Sequence, residues 1–260
     1  MWKTSFVSTL RPRDSFRDLA AFARQTGADG VDLRLGAGHS HGLDLPLSRI
    51  DFADVRALAE EIPVANLGSP LRVGTPSAGA AAEYLELAAR VGCPGVRAFI
   101  DNRAAGEEEE QWHDRVASSF ETLAECLGEG LSRLWFENHG HTSSLALLTK
   151  LMGAWPFGCV WDLAHSAEAG EAYAEGPPIL GARLRHVHIK DQRREPLTGR
   201  MEQTPLFEGE LGLEGALDEL RATGFEGWVA LEMKSDPGNQ SLMSLIRKRN
   251  ETLLSCGATA

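Results

Sequence analysis

The chain has 260 residues, 43% of them hydrophobic and 24% charged, which indicates a globular protein with a large core and excludes a disordered or collagen-like chain. It carries 26 basic and 37 acidic residues, a formal net charge of −11. Because nucleic-acid binders concentrate Lys and Arg to neutralise phosphates, this balance argues against nucleic acid as a partner.

Short β-rich runs alternate along the chain with breaks rich in Gly, Pro or Asp and with amphipathic stretches of helical length. The predicted strands cover residues 3–7, 30–35, 63–68, 95–100, 133–139, 157–163, 184–190 and 227–233. The helical candidates cover residues 14–28, 51–61, 78–92, 107–130, 143–153, 214–224 and 239–255. We expect Asp14 or Ser15 to cap the first helix and Gly27 to end it.

Eight strand units are the number that closes a parallel barrel. The sequence therefore predicts an α/β protein, a single (β/α)8 TIM barrel in which residues 1–260 form one catalytic domain. An open, doubly wound sheet also alternates strands and helices and is the structural alternative. It is disfavoured because the sequence has neither GxGxxG after the first strand nor GxxxxGK[ST] anywhere.

The sequence also bears on the compartment. No run approaches ~18 consecutive apolar residues, and the first residues lack the apolar stretch and cleavage site of a secretory signal. The four cysteines form no CxxC pair and are too few to staple a small domain. We therefore expect a soluble, cytoplasmic protein with reduced thiols and no membrane partner.

Each of the last four predicted strands places an ionisable residue at its C-terminal end, where TIM barrels carry their chemistry. These residues are Glu137 in WFENH, Asp162 in VWDLAH, His188 in HVHIKD and Glu232 in ALEMK. Residues two apart on a strand share a face, so one register that packs the apolar residues on the helices turns all four toward the barrel axis. The same register points His186 and Lys190 inward.

Three carboxylates that converge on one barrel mouth repel each other unless a cation lies among them. We therefore predict one divalent metal ion with Glu137, Asp162, His188 and Glu232 as its ligands. Three carboxylates and one imidazole make Mn²⁺ the expected ion, and the set also accommodates Mg²⁺, Co²⁺ or Zn²⁺. Four protein ligands leave coordination positions open for two oxygens of a substrate.

The motifs together resemble those of the xylose isomerase-like superfamily of sugar isomerases and epimerases. They are Glu137 on strand five, DxxH from Asp162 to His165, HxH from His186 to His188, and Glu232 on strand eight. The superfamily includes ketose 3-epimerases, hydroxypyruvate isomerases, inosose dehydratases and dehydroshikimate dehydratases. The resemblance extends over the chain through its eight βα units, and its specific motifs lie within residues 135–234.

The resemblance implies roles for individual residues. The four predicted ligands match the metal ligands of the superfamily, and Glu137 and Glu232 match the pair that also acts as acid and base in its epimerases. His165 matches a histidine that contacts the substrate. Arg194 matches an arginine that holds substrate oxygens, but the adjacent Arg193 leaves this register open.

Two further cationic residues lie near the predicted mouth. Arg34 shares a strand face with Asp32 and either meets a carboxylate or phosphate of the substrate or forms an ion pair inside the barrel. Lys190 either contacts the substrate or forms a salt bridge with Asp191. We assign both lysine and arginine to the predicted substrate-binding set, with these alternatives open.

A metal that chelates a carbonyl and the neighbouring hydroxyl stabilises an enediolate as a Lewis acid, and a positioned carboxylate removes the α-proton. The main prediction is therefore an isomerase or epimerase of a small polyhydroxy carbonyl compound: a sugar, a sugar acid or a ketoaldonate. A dehydratase that expels a β-hydroxyl is the second prediction. A third and remote alternative is an apurinic endonuclease-like repair enzyme. It is disfavoured because strands three and four end without the histidines of a trinuclear zinc cluster. A homo-oligomer is left open.

Overall fold

The computed structural model describes residues 1–36, 38–39 and 41–257, with side chains as far as residue 251. The barrel strands are β1 Lys3–Val7, β2 Gly30–Arg34, β3 Val64–Val73, β4 Val96–Ile100, β5 Leu134–Glu137, β6 Gly158–Asp162, β7 Leu184–Ile189 and β10 Trp228–Leu231. They close in the order β1-β10-β7-β6-β5-β4-β3-β2, and every neighbouring pair is parallel. The predicted (β/α)8 TIM barrel is confirmed.

Helices surround the barrel and follow the predicted alternation. In the described part of the chain they are α1 Phe16–Thr26, α2 Phe52–Glu61, α3 Ala78–Arg90, α4 Glu109–Leu127, α5 Leu145–Met152, α6 Leu163–Glu168, α7 Gly176–Leu180, α8 Leu213–Ala222 and α9 Gln240–Gly257. Ser15 caps α1 in a capping box with Asp18, and Gly27 ends this helix in the left-handed conformation with φ of 78°. None of the described helices is long and apolar enough to cross a membrane.

Two segments differ from the predicted elements. β3 continues to Val73, beyond its predicted end at residue 68. Its pairing with β4 shifts register between Gly68 and Arg72, so the Gly-Ser-Pro run that indicates a break lies inside the strand as an irregularity. Between β6 and β7 no helix is predicted, but the structure has two short helices there, α6 and α7.

The core lies between the strands and the helices, and aromatic side chains also fill the barrel floor. Trp135 is 5% exposed, and a Cβ on Gly95 or Gly158 would approach its ring to 2.1 or 2.3 Å. The two glycines therefore make room for the indole at the N-terminal end of the barrel. Because the floor is filled in this way, the C-terminal ends of the strands are the open end of the barrel.

An antiparallel hairpin, β8 Asp191–Arg194 with β9 Met201–Thr204, follows β7 and stands beside the mouth of the barrel. The buried carboxylate of Asp191 accepts hydrogen bonds from the backbone N–H groups of Phe207 at 2.9 Å and Gly209 at 3.0 Å. A Cβ on Gly209 would lie 2.0 Å from Asp191 Oδ1, so the loop needs glycine there. These contacts fix the return of the chain from the hairpin toward α8.

Candidate functional site

Four side chains from consecutive barrel strands meet at the open end. Glu137 ends β5, Asp162 ends β6, His188 lies on β7, and Glu232 directly follows β10. Each offers a ligand atom, and these atoms all lie within 4.8 Å of one another. The strand register expected from the sequence therefore brings the four predicted ligands together, and we call them the acidic quartet.

Two cations are paired with the acidic quartet. Lys190 Nζ lies 2.6 Å from Asp162 Oδ2 and 3.1 Å from Glu232 Oε2, and Arg97 Nη1 donates to Glu137 Oε2 at 2.6 Å. Burial alone would lower the pKa of Lys190, but Asp162 and Glu232 outweigh this effect and raise it above its usual range. The lysine is therefore a fixed positive charge between two carboxylates.

The glutamate of β5 is held in its charged form. Burial favours its neutral form, but Arg97 and His188 outweigh that effect and keep the pKa of Glu137 well below its usual range. Burial raises the pKa of Asp162, and Lys190 opposes this shift. The Oδ1 atom of Asp162 also accepts from the N–H groups of Ala164 at 2.9 Å and His165 at 3.1 Å, which caps α6.

The two ring nitrogens of His188 face different carboxylates. Nδ1 lies 3.2 Å from Glu137 Oε1 and 3.8 Å from Glu232 Oε1, whereas Nε2 lies 3.5 Å from Oδ2 of Asp32. Asp32 is buried on β2, lies 2.7 Å from His186 Nε2, and accepts a hydrogen bond of 2.7 Å from Ser5 Oγ. Nδ1 is therefore the atom of His188 that faces the glutamates of the acidic quartet, and Asp32 lies on the opposite side of the ring.

The acidic quartet fits a divalent metal ion. Donor atoms on opposite sides of such an ion, each bound at ~2.0–2.6 Å, are separated by ~4–5 Å, which matches the spread of the four ligand atoms. Three carboxylates and one imidazole are also the donor types that suit such ions. A second group of potential ligands, Asp32, His186 and His188, shares one imidazole with the quartet, and its shortest ion-pair distance is 2.7 Å, between Asp32 Oδ2 and His186 Nε2.

A cavity of about 580 Å³ opens directly above the acidic quartet. The residues that line it are Thr9, Arg34, Arg97, Phe99, Glu137, His139, His165, Lys190, Gln192, Met201, Gln203, Glu232, Met233 and Lys234. The Glu232 side chain is 22% exposed, whereas that of Glu137 is 1% exposed. A small molecule in this cavity therefore reaches Glu232 more easily than Glu137.

Three of the four predicted substrate-binding residues line this cavity. Lys190 lies among the ligands, Arg34 donates through Nη1 to the carbonyl of Gly68 at 3.2 Å, and His165 packs its ring 4.8 Å from that of His139. The structure places the fourth, Arg194, outside it. That side chain is exposed and donates to the carbonyl of Gly199 within its own hairpin at 2.7 Å.

Two residues of the site had no specific signal in the sequence. Asp32 stood out only because it shares a strand face with Arg34, and Arg97 was given no role. Their partners lie far along the chain, since Arg97 meets Glu137 and Asp32 meets His186 and His188. Strand alternation, applied to β2 and β4 as it was to the last four strands, turns both residues inward.

The sequence that forms this site matches the profile of a known family. A family profile described as "Xylose isomerase-like TIM barrel" matches residues 20–252. The chain belongs to this family. The matched range includes the whole acidic quartet and every barrel strand except β1.

Two relatives match part of the sequence. The rhizopine catabolism protein MocC of Rhizobium meliloti is 27% identical over 191 residues, which are 64% of this chain and 56% of that protein. A putative hydroxypyruvate isomerase of Streptomyces coelicolor is 28% identical over 173 residues, 60% of this chain and 59% of that protein. The chain thus matches less than two thirds of the length of either relative.

Solved structures share the fold at low sequence identity. A D-tagatose 3-epimerase-like protein has a TM-score of 0.77 and 15% identity, with 99% of both chains covered. The probable 3-DHS dehydratase AsbF of Bacillus anthracis has a TM-score of 0.75 and 18% identity, covering 93% of this chain and 96% of its own. An IOLI protein with a bound zinc atom has a TM-score of 0.70 and 14% identity, with 97% of both chains covered.

Proposed function

We propose that this protein is an isomerase or epimerase that depends on a divalent metal ion and moves a proton at the carbon next to a carbonyl of a small polyhydroxy compound. The observation that carries this proposal is the acidic quartet at the floor of a cavity with room for such a substrate. In this proposal Glu137, Asp162, His188 and Glu232 hold the metal ion. Membership of the xylose isomerase-like family supports it.

We propose Mn²⁺ as the ion, with Mg²⁺, Co²⁺ and Zn²⁺ as alternatives for the same oxygen-rich ligands. The zinc atom bound by the IOLI protein, which has the same fold, supports a metal ion in this proposal. When bound, the ion would supply Lewis acidity toward the carbonyl oxygen, worth several kcal/mol of the barrier. The residues of the chain then have to orient the substrate and move the proton.

The two glutamates of the acidic quartet are the proposed acid and base. They belong to β5 and β10, which are separated by β6 and β7 around the barrel, so their carboxylates approach a bound substrate from different sides. Glu232 is open to the cavity and is the proposed base that removes the proton. For an isomerase, Glu232 can return the same proton to the neighbouring carbon. For an epimerase, Glu137, which Arg97 holds in place, takes up a proton from solvent and gives it to the opposite face, while Glu232 releases the abstracted proton to solvent.

Lys190 and His165 are the proposed substrate-orienting residues of this reaction. Lys190 Nζ lies beside both Asp162 and Glu232, so it donates to an oxygen of a substrate bound next to Glu232. His165 lines the same cavity, with Nδ1 held by Glu168 Oε2 at 3.0 Å and Nε2 therefore turned toward the site, 3.8 Å from Asp162 Oδ2.

A dehydratase is the second candidate. His165 would then be the acid: a proton given to a β-hydroxyl would convert proton abstraction into loss of water. The fold shared with the probable dehydratase AsbF supports this alternative. The proposed substrate is a small molecule in either case. The net charge of −11 argues against nucleic acid as a partner.

The test is proton exchange in D₂O, followed by NMR at the carbon next to the carbonyl. The protein is stripped with a chelator, reloaded with Mn²⁺, and incubated with ketoses, ketoaldonates and inososes. We expect exchange only in the loaded protein and its loss in Glu232→Gln and Glu137→Gln, while Glu121→Gln on the exposed face of α4 behaves as the parent. A new double bond in the product would assign the dehydratase, and exchange that survives without metal would refute both candidates.

A further inference from the structure

The cavity above the acidic quartet carries two kinds of cation. Arg97 and Lys190 are neutralised by their ion pairs with carboxylates of the quartet. Arg34 and Lys234 line the same cavity, and neither has a carboxylate within ion-pair distance among the described residues. The mouth of the cavity therefore has positive charge that the protein itself does not balance.

Arg34 is held in place by the backbone around it. Its backbone N–H donates to Ser8 Oγ at 2.9 Å. Its Nη1 atom donates to the carbonyls of Gly68 at 3.2 Å and Ser69 at 3.4 Å. The remaining guanidinium donors have no acceptor within the described protein, so they are available to a ligand.

Lys234 supplies the second unbalanced charge from the opposite side of β1. Arg34 ends β2, and Lys234 follows β10, and these two strands are the neighbours of β1 in the barrel. The backbone N–H of Lys234 donates to Gln203 Oε1 of the hairpin at 3.2 Å, which fixes the chain at this point. Its side chain is exposed toward the cavity mouth.

A metal ion would make this excess larger. The three carboxylates of the acidic quartet already face Arg97 and Lys190, and a divalent ion would more than neutralise what is left of their charge. A cavity with this balance attracts an anion, even though the protein as a whole has a net charge of −11. A neutral sugar would offer Arg34 hydroxyl oxygens as acceptors but no negative charge.

We infer that the substrate carries a carboxylate, which Arg34 binds with the help of Lys234, so that the protein acts on a small sugar acid or keto acid and not on a neutral sugar. This inference rests on the proposed function for the metal end of the cavity. The planar guanidinium of Arg34 matches a carboxylate, with which it forms parallel hydrogen bonds. A phosphate is the other anion of this chemistry, and the experiment separates the two.

The test measures binding by calorimetry and needs no turnover. The Mn²⁺-loaded protein is titrated with gluconate, sorbitol and sorbitol 6-phosphate, which share a six-carbon polyol chain and differ in charge. We expect gluconate to bind about tenfold or more tightly than sorbitol, as a charged hydrogen-bonded pair implies. Equal binding of gluconate and sorbitol overturns the inference, and tighter binding of sorbitol 6-phosphate than of gluconate overturns the carboxylate in favour of a phosphate.

Variants assign the effect to the two cations. Arg34→Gln should weaken gluconate about tenfold or more and leave sorbitol unchanged, and Lys234→Gln should do the same to a smaller extent. Arg56→Gln on the exposed face of α2 is the matched control and should bind as the parent does. Unchanged gluconate binding in Arg34→Gln overturns the inference. Failure of the proposed function is recognised separately, since it appears as loss of Mn²⁺ binding or of proton exchange with every compound.

Discussion

Asp32 lies behind the ring of His188, on the side away from the other three members of the acidic quartet. A carboxylate hydrogen-bonded to the far nitrogen of an imidazole fixes its tautomer and orientation for metal binding, and loss of such a partner costs ~10–100-fold in metal affinity. Asp32 stands in this position, 3.5 Å from His188 Nε2. We therefore expect Asp32→Asn to weaken Mn²⁺ binding ~10–100-fold, measured by calorimetry or by the electron paramagnetic resonance of free Mn²⁺.

The control for this variant is Ser5→Ala, which removes only the hydroxyl that donates to Asp32 Oδ1. We expect it to change the affinity for Mn²⁺ much less than Asp32→Asn does. An absorption spectrum of the Co²⁺-loaded proteins reports the ligand geometry directly and should shift in Asp32→Asn. Parent-like affinity and spectrum in that variant would show that Asp32 serves the fold alone.

Arg97 and Glu137 form an ion pair whose side chains are 4% and 1% exposed. Removal of one member of such a buried pair costs ~3–5 kcal/mol, because the other charge stays buried without a partner. We expect Arg97→Met to lower the free energy of unfolding of the metal-free protein by at most about this amount, because His188 still faces Glu137, and urea denaturation measures the change. With Mn²⁺ bound the loss should be smaller, since the metal then compensates the charge of Glu137.

The pH dependence of the same variant gives a second measurement. The pKa of Glu137 is lowered on folding, so its contribution to stability is fully present above its ordinary pKa of 4.5 and is lost as the pH falls through the folded value. We expect the metal-free parent to lose stability with acidification over this range more steeply than Arg97→Met does. Parallel curves for the two proteins would contradict the role of Arg97 as the cause of this shift.

At the scale of elements, the hairpin β8–β9 lines one side of the cavity through Gln192, Met201 and Gln203, and a loop follows it toward α8. Asp191 joins them, because its buried carboxylate accepts from Gln192, Phe207 and Gly209. We expect Asp191→Ala to speed hydrogen exchange at the amides of Phe207 and Gly209 by at least about tenfold, measured by NMR or mass spectrometry. Glu195→Ala, at the exposed turn of the hairpin, is the control that should leave these two amides unchanged.

The elements also show what strand alternation predicts and what it leaves out. Period-two alternation on the last four strands was sufficient to bring Glu137, Asp162, His188 and Glu232 together, because every strand of a closed parallel barrel ends at the same rim. The hairpin β8–β9 was not predicted, since its residues are polar and their pairing depends on the turn. Such exposed segments have no burial pattern that a sequence would reveal.

Pairs between residues far apart in the chain were equally hidden from the sequence. Arg97 and Glu137 are 40 residues apart in the chain, and their contact depends on the register of β4 against β5. Lys190 shows the same limit. Its predicted alternatives were a substrate contact or a salt bridge with Asp191, whereas the structure pairs it with Asp162 and Glu232.

At the scale of the molecule, charge is divided unevenly between the surface and the cavity. The net charge of −11 belongs to the whole chain, whereas the cavity mouth presents Arg34 and Lys234 without carboxylate partners among the described residues. An acidic exterior with a cationic cavity selects small anions that fit inside and repels large polyanions. Size and local charge therefore act together in the proposed selection of the substrate.

Metal binding should stabilise the whole barrel, because the proposed ligands come from four of its strands. An ion that binds only the folded state contributes about 2.7 kcal/mol at a concentration of 100 Kd. For a chain of this size we expect the melting temperature to rise by about 5–10 °C on addition of Mn²⁺, measured by calorimetry. Glu232→Gln should lose most of this rise and Glu121→Gln should keep it. An equal rise in both variants would place the bound ion elsewhere in the protein.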